Sequence, residues 1–241
     1  MIDDQKYWTE RHRRYAGMAR AVGQISYSEK ANYYVYRIVL ERYAELLGRL
    51  PLDGAISVLD AGCGNGVYTK FLSGFGFKVT AVDISQEAID RLDIKITDKS
   101  RSSLETIPMP GRLYDIVHCF DVLYHILDDD EWKASIARLC ALSGRYIILH
   151  ERFLRRRPLI SSPHIRQRPY SHTLSELRKN GFAECMSSPT HFWAMRAITY
   201  KITKHFPSFF YNLDAFILHL LDQFNAGWAG SHHIKVFVKR S

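Results

Sequence analysis

Short apolar runs alternate with amphipathic stretches through most of this chain. The apolar runs predict seven β-strands, at about residues 56–60, 78–83, 100–105, 114–120, 145–150, 182–188 and 233–238. Apolar positions at helical spacing predict helices at about 3–21, 27–48, 66–72, 85–94, 128–142 and 174–180. Strands that alternate with helices form mostly parallel sheets covered on both faces. We therefore predict an α/β fold, a Rossmann-like, doubly wound, mostly parallel seven-stranded sheet.

Two helical segments lie outside this alternation. We predict that residues 1–50 form an N-terminal helical cap on a core of residues 51–241, and that a helical insertion at about 190–228 precedes the last strand. The insertion carries an apolar stripe that we expect to pack against the core, with a substrate lid or a membrane contact as alternatives. Asp214 and Asp222 on its other face disfavour membrane binding by this helix. The stripe consists of Phe209, Phe210, Leu213, Phe216, Ile217, Leu220, Leu221 and Phe224.

Composition places the chain among ordinary globular proteins. Its 241 residues, 46% apolar and 24% charged, suit one or two domains. No run of 18 apolar residues predicts a membrane span, and the charged N-terminus does not resemble a signal peptide, so we predict a cytoplasmic location. The four cysteines lack CxxC spacing, and no metal site or disulfide framework is predicted.

Positive charge is concentrated in the last third of the chain. Residues 151–241 contain 14 basic and 5 acidic side chains, a net charge of +9, whereas the whole chain carries +8. Such an excess suits an anionic acceptor, peripheral contact with a membrane surface, or nucleic acid, and a solvated surface explains it equally well. The oligomeric state cannot be inferred from this pattern.

A glycine-rich turn after the first strand is the most informative motif. Gly62, Gly64 and Gly66 connect an apolar strand to a helix, an arrangement that lets a ligand approach the backbone and the free N–H groups of the helix. Asp83 ends the next strand and suits two ribose hydroxyls. The spacing is G-x-G-x-G, not the G-x-G-x-x-G of dinucleotide sites. Asp60 before the turn would also repel a pyrophosphate, so a ligand with a positive end fits better.

Three segments together resemble class I S-adenosylmethionine-dependent methyltransferases. They are VLDAGCGNG at 58–66, VTAVDIS at 79–85 and YDIVHCFDVLYHILDDDEW at 114–132. The resemblance implies methyl transfer, with S-adenosyl-L-methionine as cofactor and S-adenosyl-L-homocysteine as product. One departure is Ser103, which stands where many relatives have an aspartate that reaches the adenine. The cofactor-binding residues implied by the resemblance are Asp60, Gly62, Cys63, Gly64, Asn65, Gly66, Asp83, Ile84, Ser103, Leu104, Phe120 and Asp121.

The sequence indicates the acceptor and the general base less clearly than it indicates the cofactor. Transfer to a hydroxyl requires a base, and His125, His150 and His164 are the candidates. We prefer O-methylation of a sugar, a glycoconjugate or another small polar, anionic acceptor. Helix packing or a solvated basic loop accounts equally well for the residues expected around that acceptor. These are Trp8, Arg11, His12, Tyr15, Tyr124, Arg166, Arg168 and Tyr170.

Two other functions stay open. The first is N-methylation of a small amine or a nucleic acid, although the fourth strand is followed by Phe120-Asp121-Val122-Leu123 and not by the DPPY-type tetrapeptide of base N-methyltransferases. Nucleic acid is therefore disfavoured as a partner. The second is a non-catalytic basic module that binds nucleic acid or membrane, which the intact Asp60, glycine turn and Asp83 argue against.

Overall fold

The computed structural model describes residues 4–192, 200–203, 205–223 and 232–240. Its strands are β1 (Ser57–Ala61), β2 (Lys78–Asp83), β3 (Asp98–Arg101), β4 (Tyr114–Phe120), β5 (Ser143–Glu151), β6 (Leu159–Ser162), β7 (Ile165–Gln167), β8 (Phe182–His191) and β9 (His232–Lys239). Its helices are α1 (Asp4–Arg14), α2 (Glu29–Gly48), α3 (Val67–Gly74), α4 (Gln86–Arg91), α5 (Asp129–Leu142), α6 (Tyr170–Lys179), α7 (Tyr200–Thr203) and α8 (Pro207–Gln223).

Seven strands form one sheet in the order β3-β2-β1-β4-β5-β9-β8. The five strands from β3 to β5 are parallel, whereas β9 runs antiparallel to both β5 and β8. The strand order reverses between β1 and β4, and ligands of open α/β sheets bind beyond the strand ends at such a point. The predicted Rossmann-like, mostly parallel seven-stranded sheet is confirmed.

The two faces of the sheet are buried by different helices. On one face Val58 and Ile116 pack among α2 and α3, and on the other Leu59 and Val117 pack against α5. Successive side chains of a strand point to opposite faces, so strands buried on both sides are apolar almost throughout. The polar residues Asp60 and His118, also buried in these strands, are therefore exceptions that need an explanation.

The two predicted N-terminal helices differ in their packing. Helix α2 begins at the N-cap Ser28, whose hydroxyl accepts from the N–H of Ala31, and it buries Tyr43 against the sheet. Helix α1 ends at Arg14, earlier than the predicted residue 21, and Gly17 with a φ of 73° redirects the chain. The cap over the strand ends is thus α1, while α2 belongs to the core layer.

The buried face of helix α8 differs from the apolar stripe predicted for the insertion. Its inward face is Phe210, Asp214 and Leu218, and the buried Asp214 carboxylate accepts from the N–H of Phe192. Phe209 and Phe216, expected to pack inward, are each 61% exposed. The prediction failed because the polar Asp214 was assigned to the outer face. Phe224, the last member of the stripe, lies outside the described residues.

A short hairpin follows β5 where the sequence predicted a polar loop. Strands β6 and β7 pair antiparallel, and His164 lies in the turn between them. The sequence does not predict this hairpin, because its arginine, glutamine and proline residues do not alternate with apolar ones. Within the described residues, no helix combines the length and apolar character that crossing a bilayer requires.

Candidate active site

The glycine turn is held against the end of β2. The N–H groups of Gly62 and Cys63 both donate to the carbonyl of Val82, at 2.7 and 3.0 Å. Gly62, Gly64 and Gly66 have φ values of 87°, 52° and 77°, a left-handed conformation that favours glycine. Helix α3 starts immediately after Gly66, so the free N–H groups of its first turn lie beside the loop.

Close packing against neighbouring side chains also requires glycine at all three positions, as two of them illustrate. A Cβ on Gly62 would lie 2.3 Å from Cγ2 of Val122, and one on Gly64 would lie 2.5 Å from Cγ1 of Val22. The loop after β4 and the segment after α1 therefore both press against the glycine turn. A side chain added at either position would therefore collide with one of these valines.

Asp83 connects the turn to β2. Its carboxylate accepts from the N–H of Gly64 at 2.9 Å and from the N–H of Ser85 at 2.8 Å. Burial raises the pKa of Asp83, while these two hydrogen bonds and the nearby His12 oppose that rise. A carboxylate offers about four acceptor positions, so these bonds leave capacity for a ligand hydroxyl. This arrangement fits a ribose diol.

Asp60 lies beneath the turn, fully enclosed by protein. Its carboxylate accepts from the hydroxyl of Thr69 at 2.6 Å, and burial raises its pKa to about 7. Nε2 of His118 lies 3.5 Å from Asp60 Oδ1, but burial lowers the pKa of His118 to about 3, so this is not an ion pair at neutral pH. The predicted role of Asp60 as a cofactor ligand stays a prediction, since the residue lies behind the cavity lining.

We expect replacement of Asp60 by asparagine to change how stability depends on pH. The native state retains the Asp60 proton from pH 4 to 7, whereas the unfolded chain loses it, so this carboxyl makes stability fall as pH rises. The free energy of unfolding of Asp60→Asn relative to wild type should rise by about 1.4 kcal/mol per pH unit in that window. Urea unfolding at several pH values measures it, with the exposed Asp53→Asn as control. A pH-independent difference would contradict the raised pKa.

A cavity opens where the glycine turn, β2 and β4 meet, with an empty volume of about 1030 Å³ including its mouth. Most predicted cofactor residues line it, whereas Asp60 and Gly66 do not. The lining members are Gly62, Cys63, Gly64, Asn65, Asp83, Ile84, Ser103, Leu104, Phe120 and Asp121. Ser103 starts a short helical turn at 104–106, and its hydroxyl lies 2.7 Å from that of Thr106.

Asp121 has a strained backbone at the edge of this cavity. Among the described residues it is the only non-glycine with a positive φ, at 59°. Its N–H donates to the carbonyl of His150 at 2.9 Å, and its carboxylate lies 3.0 Å from Nδ1 of the same histidine. Strain of this kind persists only where surrounding contacts fix it, and it is typical of functional sites.

Of the three candidate bases, His125 lines the cavity. Its Nδ1 lies 2.8 Å from the carbonyl of His164, and its ring contacts Trp8 edge-on. Since a carbonyl can only accept, Nδ1 carries the ring proton and Nε2 carries the lone pair. Burial lowers the pKa of His125 to about 4, so the ring is neutral at pH 7.

The other two histidines lie outside the lining. His150 is buried in β5, with Nδ1 at Asp121 and Nε2 at 2.9 Å from the hydroxyl of Thr190. His164 stacks on Tyr7 at a ring distance of 4.7 Å, and its carbonyl orients His125. Both ring nitrogens of His150 have partners, and of the three candidates only His125 lines the cavity.

Arg166 and Arg168 hold the β6–β7 hairpin to the start of α5. Both guanidinium groups bind the Asp129 carboxylate, and Arg168 also donates to the carbonyls of three preceding residues, 126–128. Arg168 further lies over the ring of Trp132, 4.6 Å from its centroid. The structure does not bring either arginine to the cavity, because these contacts occupy them elsewhere.

Of the remaining predicted acceptor residues, some line the cavity and others lie outside its lining. Trp8 and His12 line the cavity from α1. Arg11 supports that helix by donating to the carbonyls of Arg20 and Gly23. Three tyrosines lie outside the lining. They are Tyr15 beside Arg14, Tyr124 against His125, and Tyr170, whose hydroxyl donates to Glu184.

Sequence reasoning missed part of the lining. Tyr36 reaches it from α2, Val22 from the segment after α1, and Glu131 from the first turn of α5. No local motif distinguishes these residues, because long-range packing brings them to the cavity. Ser102, Glu105, Val122 and Ile126 adjoin predicted residues and could have been found by extending each motif. Val67 and Tyr68 follow the glycine turn directly.

The methyltransferase domain family matches residues 31–210, about three quarters of the chain. Curated relatives match a shorter region. A ubiquinone biosynthesis O-methyltransferase from Caulobacter sp. (strain K31) is 29% identical over 108 residues, which cover 42% of each chain. Nodulation protein S from Bradyrhizobium diazoefficiens is 30% identical over 107 residues, 42% of this chain and 51% of that protein. The chain spans about half or less of the length of these relatives.

Solved structures share the fold along the whole chain. The magnesium protoporphyrin IX methyltransferase from Synechocystis PCC 6803, solved with bound S-adenosylmethionine, aligns with a TM-score of 0.64 and 22% identity. The alignment covers 100% of this chain and 99% of that one. Together with the family match and the glycine turn, this fold identifies the chain as a member of the methyltransferase domain family, as its resemblance to class I S-adenosylmethionine-dependent methyltransferases predicted.

Proposed function

We propose that this protein transfers a methyl group from S-adenosylmethionine to a hydroxyl oxygen of a small polar acceptor such as a sugar. His125 acts as the general base. The observation that carries the proposal is the orientation of the His125 ring, which lines the cavity with Nδ1 held by the His164 carbonyl. A hydroxyl acceptor must lose a proton during transfer, and a neutral imidazole fixed in one tautomer can take it.

The residues at the cofactor end fit this cofactor. The Asp83 carboxylate lines the cavity and suits the ribose, and the backbone of Gly62, Cys63 and Gly64, which also lines it, suits the methionine part. Ile84 and Leu104 offer apolar surface for the adenine. When bound, the cofactor supplies a sulfonium methyl that is already activated for transfer. The protein contributes alignment, a base and exclusion of water.

The charges around the cavity favour an acceptor without negative charge. Among the described residues, its lining contains the carboxylates of Asp83, Glu105, Asp121 and Glu131 and no lysine or arginine. Carboxylates repel an anionic acceptor in a site of low dielectric. Arg166 and Arg168, which belong to the basic last third of the chain, bind Asp129 and do not line the cavity. We therefore propose a neutral acceptor in place of the anionic one that the charge distribution suggested.

The same carboxylates make N-methylation of a small amine the second candidate. A cationic amine would be attracted to them, and it must also lose a proton before its nitrogen can accept a methyl group. Radiolabelled S-adenosylmethionine with separate panels of sugars, phenols and primary amines tests both candidates. Mass spectrometry locates the methyl on oxygen or on nitrogen. Methylation of amines alone would overturn the O-methyl proposal.

We expect His125→Gln to lower kcat by about 100-fold or more, since general bases typically contribute that much. Affinity for S-adenosylmethionine, measured by calorimetry, should change little, because the recorded contacts of the ring are with Trp8, Tyr124 and His164. The exposed His172→Gln is the matched control and should retain wild-type kcat. Equal activity of His125→Gln and wild type would remove His125 as the base.

A further inference from the structure

His12 is a buried histidine of α1 that lines the cavity, and the sequence grouped it with the residues expected around the acceptor. The residue is only 4% exposed. Within the described part of the chain, no hydrogen bond occupies either nitrogen of its ring. Buried polar groups are normally hydrogen-bonded, so a buried ring without a partner needs an explanation. Because the ring forms part of the cavity wall, a bound ligand can supply that partner.

The neighbours of His12 belong to the cofactor end of the cavity. A Cβ added to Gly64 would lie 4.0 Å from Cε1 of His12, so the ring faces the backbone of the glycine turn. The N–H of the same glycine donates to the Asp83 carboxylate at 2.9 Å. Helix α1 packs against α4, whose N-cap Ser85 lies two residues after Asp83. His12 and Asp83 therefore both adjoin Gly64 at the cavity wall.

The His12 ring and the Asp83 carboxylate have complementary hydrogen-bonding roles. Burial lowers the pKa of His12, and the nearby Asp83 opposes this change only in part. Among the other charged neighbours, Arg11 and Arg91 also lower this pKa, whereas Glu87 raises it. The ring is therefore neutral at pH 7 and above. A neutral imidazole has one N–H donor and one lone pair, whereas an ionised carboxylate only accepts.

A ribose requires both of these roles. Its two neighbouring hydroxyls can each donate one hydrogen bond and can also accept through the oxygen. Asp83 accepts the hydroxyl protons but offers no donor to the hydroxyl oxygens. Among the described residues, the lining contains no lysine or arginine that could do so. The N–H of a neutral His12 provides such a donor beside the same carboxylate.

We propose that His12 binds the ribose of the cofactor together with Asp83, by donating a hydrogen bond to a hydroxyl oxygen. His12 thus belongs to the cofactor end of the cavity and not to the acceptor end for which the sequence suggested it. This inference rests on the proposed function through its cofactor alone, so it applies to methylation of oxygen and of nitrogen alike.

This role gives α1 a contact at each end of the cavity. Trp8 lies one turn before His12, and its ring contacts the His125 ring edge-on at a centroid distance of 4.7 Å. Side chains four residues apart lie on the same face of a helix. A hydrogen bond from His12 to the cofactor therefore holds in place the helix that also forms the wall beside His125.

Calorimetric titration of His12→Phe tests this role without any acceptor. The ligands are S-adenosylhomocysteine and its 2′-deoxy and 3′-deoxy analogues, each of which lacks one ribose hydroxyl. Phenylalanine retains an aromatic ring but loses both nitrogens. We expect His12→Phe to bind S-adenosylhomocysteine about 3- to 10-fold more weakly than wild type, as the loss of one neutral hydrogen bond predicts. For the analogue without the hydroxyl that His12 binds, the two proteins should have equal affinity.

Two further variants control this experiment. The exposed His172→Phe should bind all three ligands as wild type does. His12→Leu, which also lacks hydrogen-bonding atoms, repeats the comparison, and thermal melting shows that each variant is folded. Equal affinity of wild type and folded His12→Phe for S-adenosylhomocysteine, or the same fold-loss with all three ligands, would overturn the role of His12 and leave the proposed methyl transfer standing. Methylation of nitrogen alone would overturn the O-methyl proposal and leave this titration unchanged.

Discussion

Asp83→Ala is expected to weaken binding of both S-adenosylmethionine and S-adenosylhomocysteine by about 100-fold or more. Each hydrogen bond between a carboxylate and a ribose hydroxyl contributes about 1.5–3 kcal/mol, and the variant loses two. It also leaves the N–H groups of Gly64 and Ser85 without their acceptor. The glycine turn would therefore lose its link to β2 at the same time. Calorimetric titration with either ligand measures the effect.

The control for this variant is Asp90→Ala. Asp90 is an exposed carboxylate of α4, close in sequence to Asp83 and bonded to Gln86. It should bind both ligands as wild type does, and thermal melting of Asp83→Ala separates loss of binding from loss of folding. A folded Asp83→Ala protein that binds S-adenosylmethionine normally would show that the cavity holds its cofactor in another way.

The second large effect is expected from Gly62→Ala. A side chain at a φ of 87° costs about 1–2 kcal/mol, and a Cβ that lies 2.3 Å from Cγ2 of Val122 adds roughly 1–3 kcal/mol of overpacking. Relief of the clash would displace the loop after β4, which contains Asp121 and His125. We therefore expect the variant to lose stability, measured by urea unfolding, and to lose affinity for the cofactor.

Gly76→Ala separates the two causes. Gly76 has a φ of 79°, close to that of Gly62, but an added Cβ would have no atom within 4 Å. Gly76→Ala should lose only the free energy of unfolding that a side chain at a positive φ costs, about 1–2 kcal/mol, with ligand binding unchanged. If both variants lost the same free energy of unfolding, close contact with Val122 would not be the reason for glycine at position 62.

The cofactor end could be predicted from sequence because its parts are local. A strand, a turn and a helix follow one another around Gly64, and Asp83 ends the neighbouring strand at the same edge of the sheet. Parallel strands place their carboxyl ends together, so a motif after each strand is enough to locate the cavity. Only Asp60 and Gly66 of the predicted set lie behind the lining.

The acceptor end could not be predicted to the same depth, since it is assembled from distant segments. His125 follows β4, but the carbonyl that orients it belongs to His164, and the hairpin that carries His164 is fixed by Arg168. Alternating arginines predicted a ligand-binding loop, whereas ion pairs with the half-exposed Asp129 carboxylate explain them. The contact of Thr190 with His150 was not predicted, because strand β8 runs to His191, beyond the predicted end at about residue 188.

The position of α1 has a kinetic consequence. Trp8 and His12 lie along the cavity, and Val22 presses on the glycine turn, so the N-terminal segment covers part of the route by which a ligand of the cavity exchanges with solvent. Where such a cover must open once in every cycle, its motion sets an upper limit on turnover. Substitutions that loosen α1 but keep Trp8 and His12 would then change the turnover of the proposed methyl transfer.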